Sequence, residues 1–88
     1  MARRTKTKLG GFFGEVLREA RRARNLTQEE LADLIGYSRV QVGYLETGVR
    51  EPSLEALLRL EPALGLDDGE LVRRTAALRR ELTRARTR

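Results

Sequence analysis

The 88-residue chain has no cysteine and no histidine, only two prolines, and only four aromatic residues, Phe12, Phe13, Tyr37 and Tyr44. Without cysteine there is no disulfide framework and no thiolate metal site. Without histidine there is no zinc finger, and neither Cys–His nor Ser–His catalysis is available. A glycine-rich phosphate loop is missing too, which leaves few routes to an enzyme. No apolar run approaches the roughly 20 residues that span a bilayer. The stretch "LGGFFGEV" is too short, and too soon interrupted by Glu15, to be the apolar core of a signal peptide. The expectation is a cytoplasmic, non-enzymatic protein with no cofactor, no metal, no membrane partner and no evident small-molecule ligand.

What the chain does hold points to a small helical domain. Its apolar residues, 40% of the total, are largely Leu, Val and Ala. That balance favours helices over strands, and the length allows one modest core. The net charge of +5 is unevenly placed. Residues 1–8 carry Arg3, Arg4, Lys6 and Lys8 and no acid. Residues 9–69 carry seven Arg against eleven Asp or Glu, and residues 70–88 carry seven Arg against two Glu. Basic ends on a mildly acidic middle imply an anionic partner, or solubilising tails.

Three regions follow. Residues 1–10 read as a flexible basic arm, 11–69 as a folded domain, and 70–88 as a basic C-terminal helix or tail. In the middle region, Phe13, Val16, Leu17 and Ala20 recur at helical spacing, with Asn25 as a left-handed stop. "TQEELADLIG" opens on Thr27 with Glu30 three residues on, a capping box, and ends on Gly36. After "GY", Ser38 caps a third helix that Gly48 stops. Two short helices joined by a three- or four-residue turn with Gly form a helix-turn-helix. Ser53 caps a fourth helix, whose inner face is expected to hold Leu54, Leu57 and Leu58, with Leu60 and Leu64 as further candidates. Pro62 is expected to end or kink it. Asp67 or Asp68 is expected to cap the last helix. That helix carries Leu71, Thr75, Leu78, Leu82 and Ala85 on one stripe, read either as a dimer seam or as a segment fraying beyond about Ala77.

The run from Phe13 to about Leu66 resembles the phage-repressor-like, or Xre-type, helix-turn-helix domains of bacterial and phage regulators. The resemblance rests on an ordered set: Gly14 after the first apolar residue, Arg21 late in helix 1, "TQEELA", the turn Gly, Ser38, an apolar residue four on, "LE" with Gly two further, and "PS" before a Leu-rich helix. It implies an all-α, compact four- to five-helix bundle with a C-terminal helical extension. It also implies a transcriptional regulator that binds double-stranded DNA, with helix 3 in the major groove and helix 2 across the backbone. A homodimer on a palindromic operator, acting as a repressor or autoregulator, is the leading form. A protein-interaction adaptor or antitoxin-type partner on the same fold is the alternative, with an exposed Leu34 and the last helix as its docking surface.

Base contacts are expected from Arg39, whose planar fork matches guanine O6 and N7, and from Val40, Gly43 and Tyr44. Phosphate contacts are expected from Gln28, Ser38, Gln41, Thr47 and Arg50, and from Arg3 and Arg4 in the arm. Gln28 is also a candidate to brace a recognition-helix side chain. Arg21 and Glu46 match a structural ion pair joining helix 1 to the end of helix 3. Leu71, Leu78 and Leu82 are candidates for a dimer or partner seam.

Overall fold

Three of the five helices begin at a hydroxyl side chain that answers an unpaired N–H. The computed structural model describes residues 8–86, in which α1 is Lys8–Ala23, α2 Gln28–Ile35, α3 Arg39–Thr47, α4 Leu54–Ala63 and α5 Glu70–Arg86. Thr27 Oγ1 accepts from the Glu30 N–H at 3.0 Å, and Glu30 Oε1 accepts from the Thr27 N–H at 2.8 Å, closing the expected capping box. Ser53 Oγ accepts from the Ala56 N–H at 3.0 Å. The stops lie where glycine or asparagine takes up left-handed backbone: Asn25 at φ 57°, Gly36 at 76° and Gly48 at 81°.

The core draws one fully buried side chain from each helix: Leu17, Leu31, Val42, Leu60 and Leu71. Leu71 is therefore a core residue of its own domain, not a seam residue. Its stripe continues through buried Thr75 and half-buried Leu78, which pack α5 toward the core, before reaching exposed Leu82. The first part of the stripe is thus covered within the chain, and α5 runs to Arg86. On α4 the inner positions are Ala56, Leu57, Leu60 and Glu61, whereas Leu54 is 72% exposed and Leu58 56%. The expected placement of those two leucines inside is wrong. The helix is apolar over most of its surface, and its neighbours select the face centred on Ala56 and Leu60.

Pro62 does not end α4 before itself. It sits one residue from the helix end, where a missing N–H removes only one bond of the last turn. The start of α5 is held from α4. The Glu61 carboxylate, buried to 2% exposure, accepts from the Gly69 N–H and the Leu71 N–H, each at 2.9 Å. These bonds to Glu61 take the place of the cap expected from Asp67 or Asp68.

Helices α1 and α3 cross at backbone contact. A Cβ at Gly14 would stand 2.7 Å from the Leu45 carbonyl oxygen and closer still to that of Glu46. At the other end of the crossing, a Cβ at Gly48 would stand 2.8 Å from the Gly11 nitrogen. Gly10 and Gly11 thus belong to α1, which starts at Lys8, and the last three positions of the expected arm are helical. We expect Gly14→Ala to cost ~1–3 kcal/mol, because the atoms in the way are backbone and cannot rotate aside. Urea denaturation of the two proteins checks this, and an unchanged midpoint would refute it.

Candidate nucleic-acid interface

Helix α3 places Val42 and Leu45 in the core and turns Arg39, Val40 and Thr47 outward. It holds two charged residues, Arg39 and Glu46, and Glu46 is only 3% exposed. The outer face therefore carries a single charge at its start. Val40, at 53% exposure, stands beside it.

Arg39 is not a loose side chain. Its Nη1 donates to Gln28 Oε1 at 3.1 Å. Gln28 Nε2 in turn donates to Glu46 Oε1 at 3.0 Å. Glu46 is gripped from α1 by Arg21, whose Nε donates to Oε2 at 2.5 Å and whose Nη2 donates to Oε1 at 3.1 Å. The remaining Arg21 nitrogen, Nη1, donates to the Leu26 carbonyl at 2.7 Å. The hydrogen bond to Glu46 holds the Arg21 guanidinium above its ordinary pKa, against the lowering effect of burial. The expected ion pair and the expected brace are one chain of bonds: loop carbonyl, Arg21, Glu46, Gln28, Arg39. It runs from the interior to the outer surface of α3.

Gly43 lies inside α3 without a positive φ, and a Cβ there would meet nothing within 4 Å. A mid-helix glycine costs about 0.5–1 kcal/mol relative to alanine, and no contact within the described residues recovers it. Gly43 lines a shallow, open concavity together with Gln28, Arg39, Val40, Tyr44, Thr47 and Val49. Thr47 Oγ1 donates back to the Gly43 carbonyl at 3.0 Å, so its hydroxyl is spent on the helix.

A second cleft lies between α3 and α4, lined by Tyr37, Gln41, Tyr44, Arg50 and Ser53 among others. The Arg50 guanidinium stands 5.9 Å from the Tyr44 ring centre. Tyr37 was absent from the sequence-based candidates. Its position directly before the Ser38 cap, next to α4, is set by the fold, and no local pattern marks it. Gln41 also has a role within the helix. Its Oε1 accepts from the Ser38 N–H at 2.8 Å while Ser38 Oγ accepts from the Gln41 N–H at 3.1 Å. Ser38 and Gln41 therefore form a second capping box, which the Ser-x-x-Gln spacing encodes and the phosphate reading overlooked. The structure brings Arg39, Val40, Gly43, Tyr44, Gln28 and Thr47 around one concavity, and Gln41, Tyr44 and Arg50 around the other. Arg3 and Arg4 lie outside the described residues. Among the described residues, no helix is long and apolar enough to cross a membrane.

Residues 17–71 match the helix-turn-helix family model. The chain is 35% identical over 66 residues to the SPbeta prophage-derived uncharacterized HTH-type transcriptional regulator YonR of Bacillus subtilis. That match spans 75% of this chain and 61% of the relative's length. It is similar to the restriction-modification controller protein C.AhdI of Aeromonas hydrophila, with 45% identity, a TM-score of 0.68, and coverage of 70% of this chain and 94% of that one. It is also similar to the clp gene regulator ClgR of Corynebacterium glutamicum, with 28% identity, a TM-score of 0.74, and coverage of 92% and 93%.

Removing Glu46 strands Arg21 in the interior. We expect Glu46→Ala to lose about 3–5 kcal/mol of stability, the usual cost of breaking a buried pair from one side. Gln28→Ala, at the half-exposed end of the same chain of bonds, should melt within a few degrees of wild type. Thermal unfolding followed by circular dichroism separates the two, and equal losses would refute the ordering.

Proposed function

The chain belongs to the helix-turn-helix family of DNA-binding transcriptional regulators, and on that premise we propose that it reads one specific duplex sequence with α3 in the major groove. The observation that carries this is the braced Arg39. A guanidinium held by Gln28, itself held by the buried Glu46–Arg21 pair, is pre-oriented on a face otherwise poor in charge. Such a face suits base edges, where each charged group must find a partner or be desolvated at a cost. Arg50, Tyr37 and Tyr44 flank the cleft beside it and suit a phosphate. The basic residues of the N-terminal segment, Arg3 and Arg4 included, add general attraction to DNA.

The protein acts as a homodimer on an inverted repeat, as a repressor or autoregulator in the cytoplasm. Similarity to a restriction-modification controller protein supports a regulatory role. Leu54 and Leu58 on α4 and Leu82 on α5 supply exposed apolar surface for pairing. The same exposed leucines, with Leu34 at 60%, favour a second reading, an adaptor or antitoxin-type protein that docks another protein. Under that reading, Arg39→Glu leaves function intact.

The test is selection of bound fragments from random and genomic duplexes at near-physiological salt. An enriched inverted repeat is the expected result. Arg39→Ala should then lose about tenfold or more in affinity for that site, by relaxing one base pair. Arg50→Ala should weaken all sequences alike and reduce the slope of log K against log salt by about one. No enrichment, or wild-type selectivity retained by Arg39→Ala, would overturn the reading.

A further inference from the structure

Gly43 is a position on the outer face of α3 whose residue type the fold leaves unexplained. Its backbone is ordinary helix, and the space where a Cβ would stand is empty to 4 Å. Alanine would fit and would favour the helix. The glycine instead leaves open a shallow concavity whose lining includes Val40 and Val49 beside Gln28, Arg39, Tyr44 and Thr47. Val40 lies one turn before it and is largely exposed, and Val49 lies beyond the helix end. Thr47 lies one turn after it, and with its hydroxyl turned onto the Gly43 carbonyl it has its methyl left to present. At the rim of the same concavity stands the braced guanidinium of Arg39.

We propose that this notch seats the C5-methyl group of a pyrimidine in the major groove, and that Gly43 sets specificity at that base pair. This rests on the DNA-reading function above. The C5-methyl is the apolar feature that a base pair displays in the major groove, and apolar side chains are what recognise it. A side chain at position 43 would occupy the space that the methyl needs. The pairing is compact: Arg39 takes the edge of a guanine, and the notch one turn further along takes a neighbouring methylated pyrimidine. Thymine and 5-methylcytosine share this chemistry.

The experiment uses the full chain and the duplex recovered by selection. Each thymine of a half-site is replaced in turn by deoxyuridine, which removes only the methyl, and affinity is measured by fluorescence anisotropy. For the wild type, one thymine per half-site should cost about three- to tenfold when replaced. For Gly43→Ala and Gly43→Ser, the same replacement should cost less than twofold, and Gly43→Ala should melt at or above the wild-type temperature. At that base pair, a C·G duplex is then compared with and without a methyl on its cytosine. Recovery on methylation assigns the seat to the methyl alone. No recovery, with the deoxyuridine loss intact, assigns it to thymine. If no thymine is sensitive while other base changes still weaken binding, the seat is refuted and the DNA-reading function stands. Undiminished deoxyuridine sensitivity in both Gly43 variants refutes the role of Gly43. If selection returns no sequence at all, the DNA reading falls and the seat with it.

Discussion

The hydrogen-bonded pair of Arg21 and Glu46 is the constraint on which the outer face of α3 depends. Burying both charges gains little net stability, since desolvation offsets most of the attraction. What it supplies is geometry. Arg21 uses its planar fork on both Glu46 oxygens and its remaining nitrogen on the Leu26 carbonyl, so α1, the loop before α2 and the end of α3 share one fixed point. Because Gln28 also bonds Glu46, the start of α2 is tied to the same point. The two helices of the helix-turn-helix are therefore set against each other at both ends: by the short turn through Gly36 at one, and by this carboxylate at the other. An apolar pair of equal volume would pack, but it would not present an acceptor through which Gln28 orients Arg39.

Glycine plays two opposed parts in the same helix pair. At positions 14 and 48 its missing Cβ brings backbones into contact, and any side chain would push α3 off α1. At position 43 it brings nothing inside the protein together. The first kind belongs to the fold, the second has no role inside the protein, and composition cannot tell them apart. Only the surroundings of each absent Cβ distinguish them.

That distinction also explains how much was legible in the sequence. Caps and stops are local, so Thr27, Ser38, Ser53, Gly36, Gly48 and Asn25 can be read from spacing of a few residues. The ion pair was accessible only through the ordered resemblance, because positions 21 and 46 share no local pattern. Helical period places Leu71, Leu78 and Leu82 on one stripe but does not say whether the partner is the same chain. In the structure α1 covers the first part of that stripe and leaves the last part exposed. On α4, a surplus of leucine blurs the inner face, so Leu54 and Leu58 were misplaced. Glu61 reads as one more surface acid until the loop folds the amides of Gly69 and Leu71 onto it.

Charge is divided along the chain in a way that follows from the same design. A face proposed to meet base edges needs few charges, since each must be matched or stripped of water. Glu46, which would repel phosphates if exposed, is sequestered by Arg21. General attraction to a polyanion must then come from elsewhere, and residues 1–8 and 70–88 hold the excess of cations while 9–69 are net acidic. Part of the C-terminal excess is locally offset, with Glu70 held below its usual pKa by Arg74 and Arg73. Under the proposed reading, attraction and discrimination reside on different segments. Salt, which screens charges beyond about 8–10 Å, acts on the first far more than on a bidentate contact inside a groove. Under the proposed reading, a regulator built this way would trade overall affinity through its ends without altering which sequence its third helix selects.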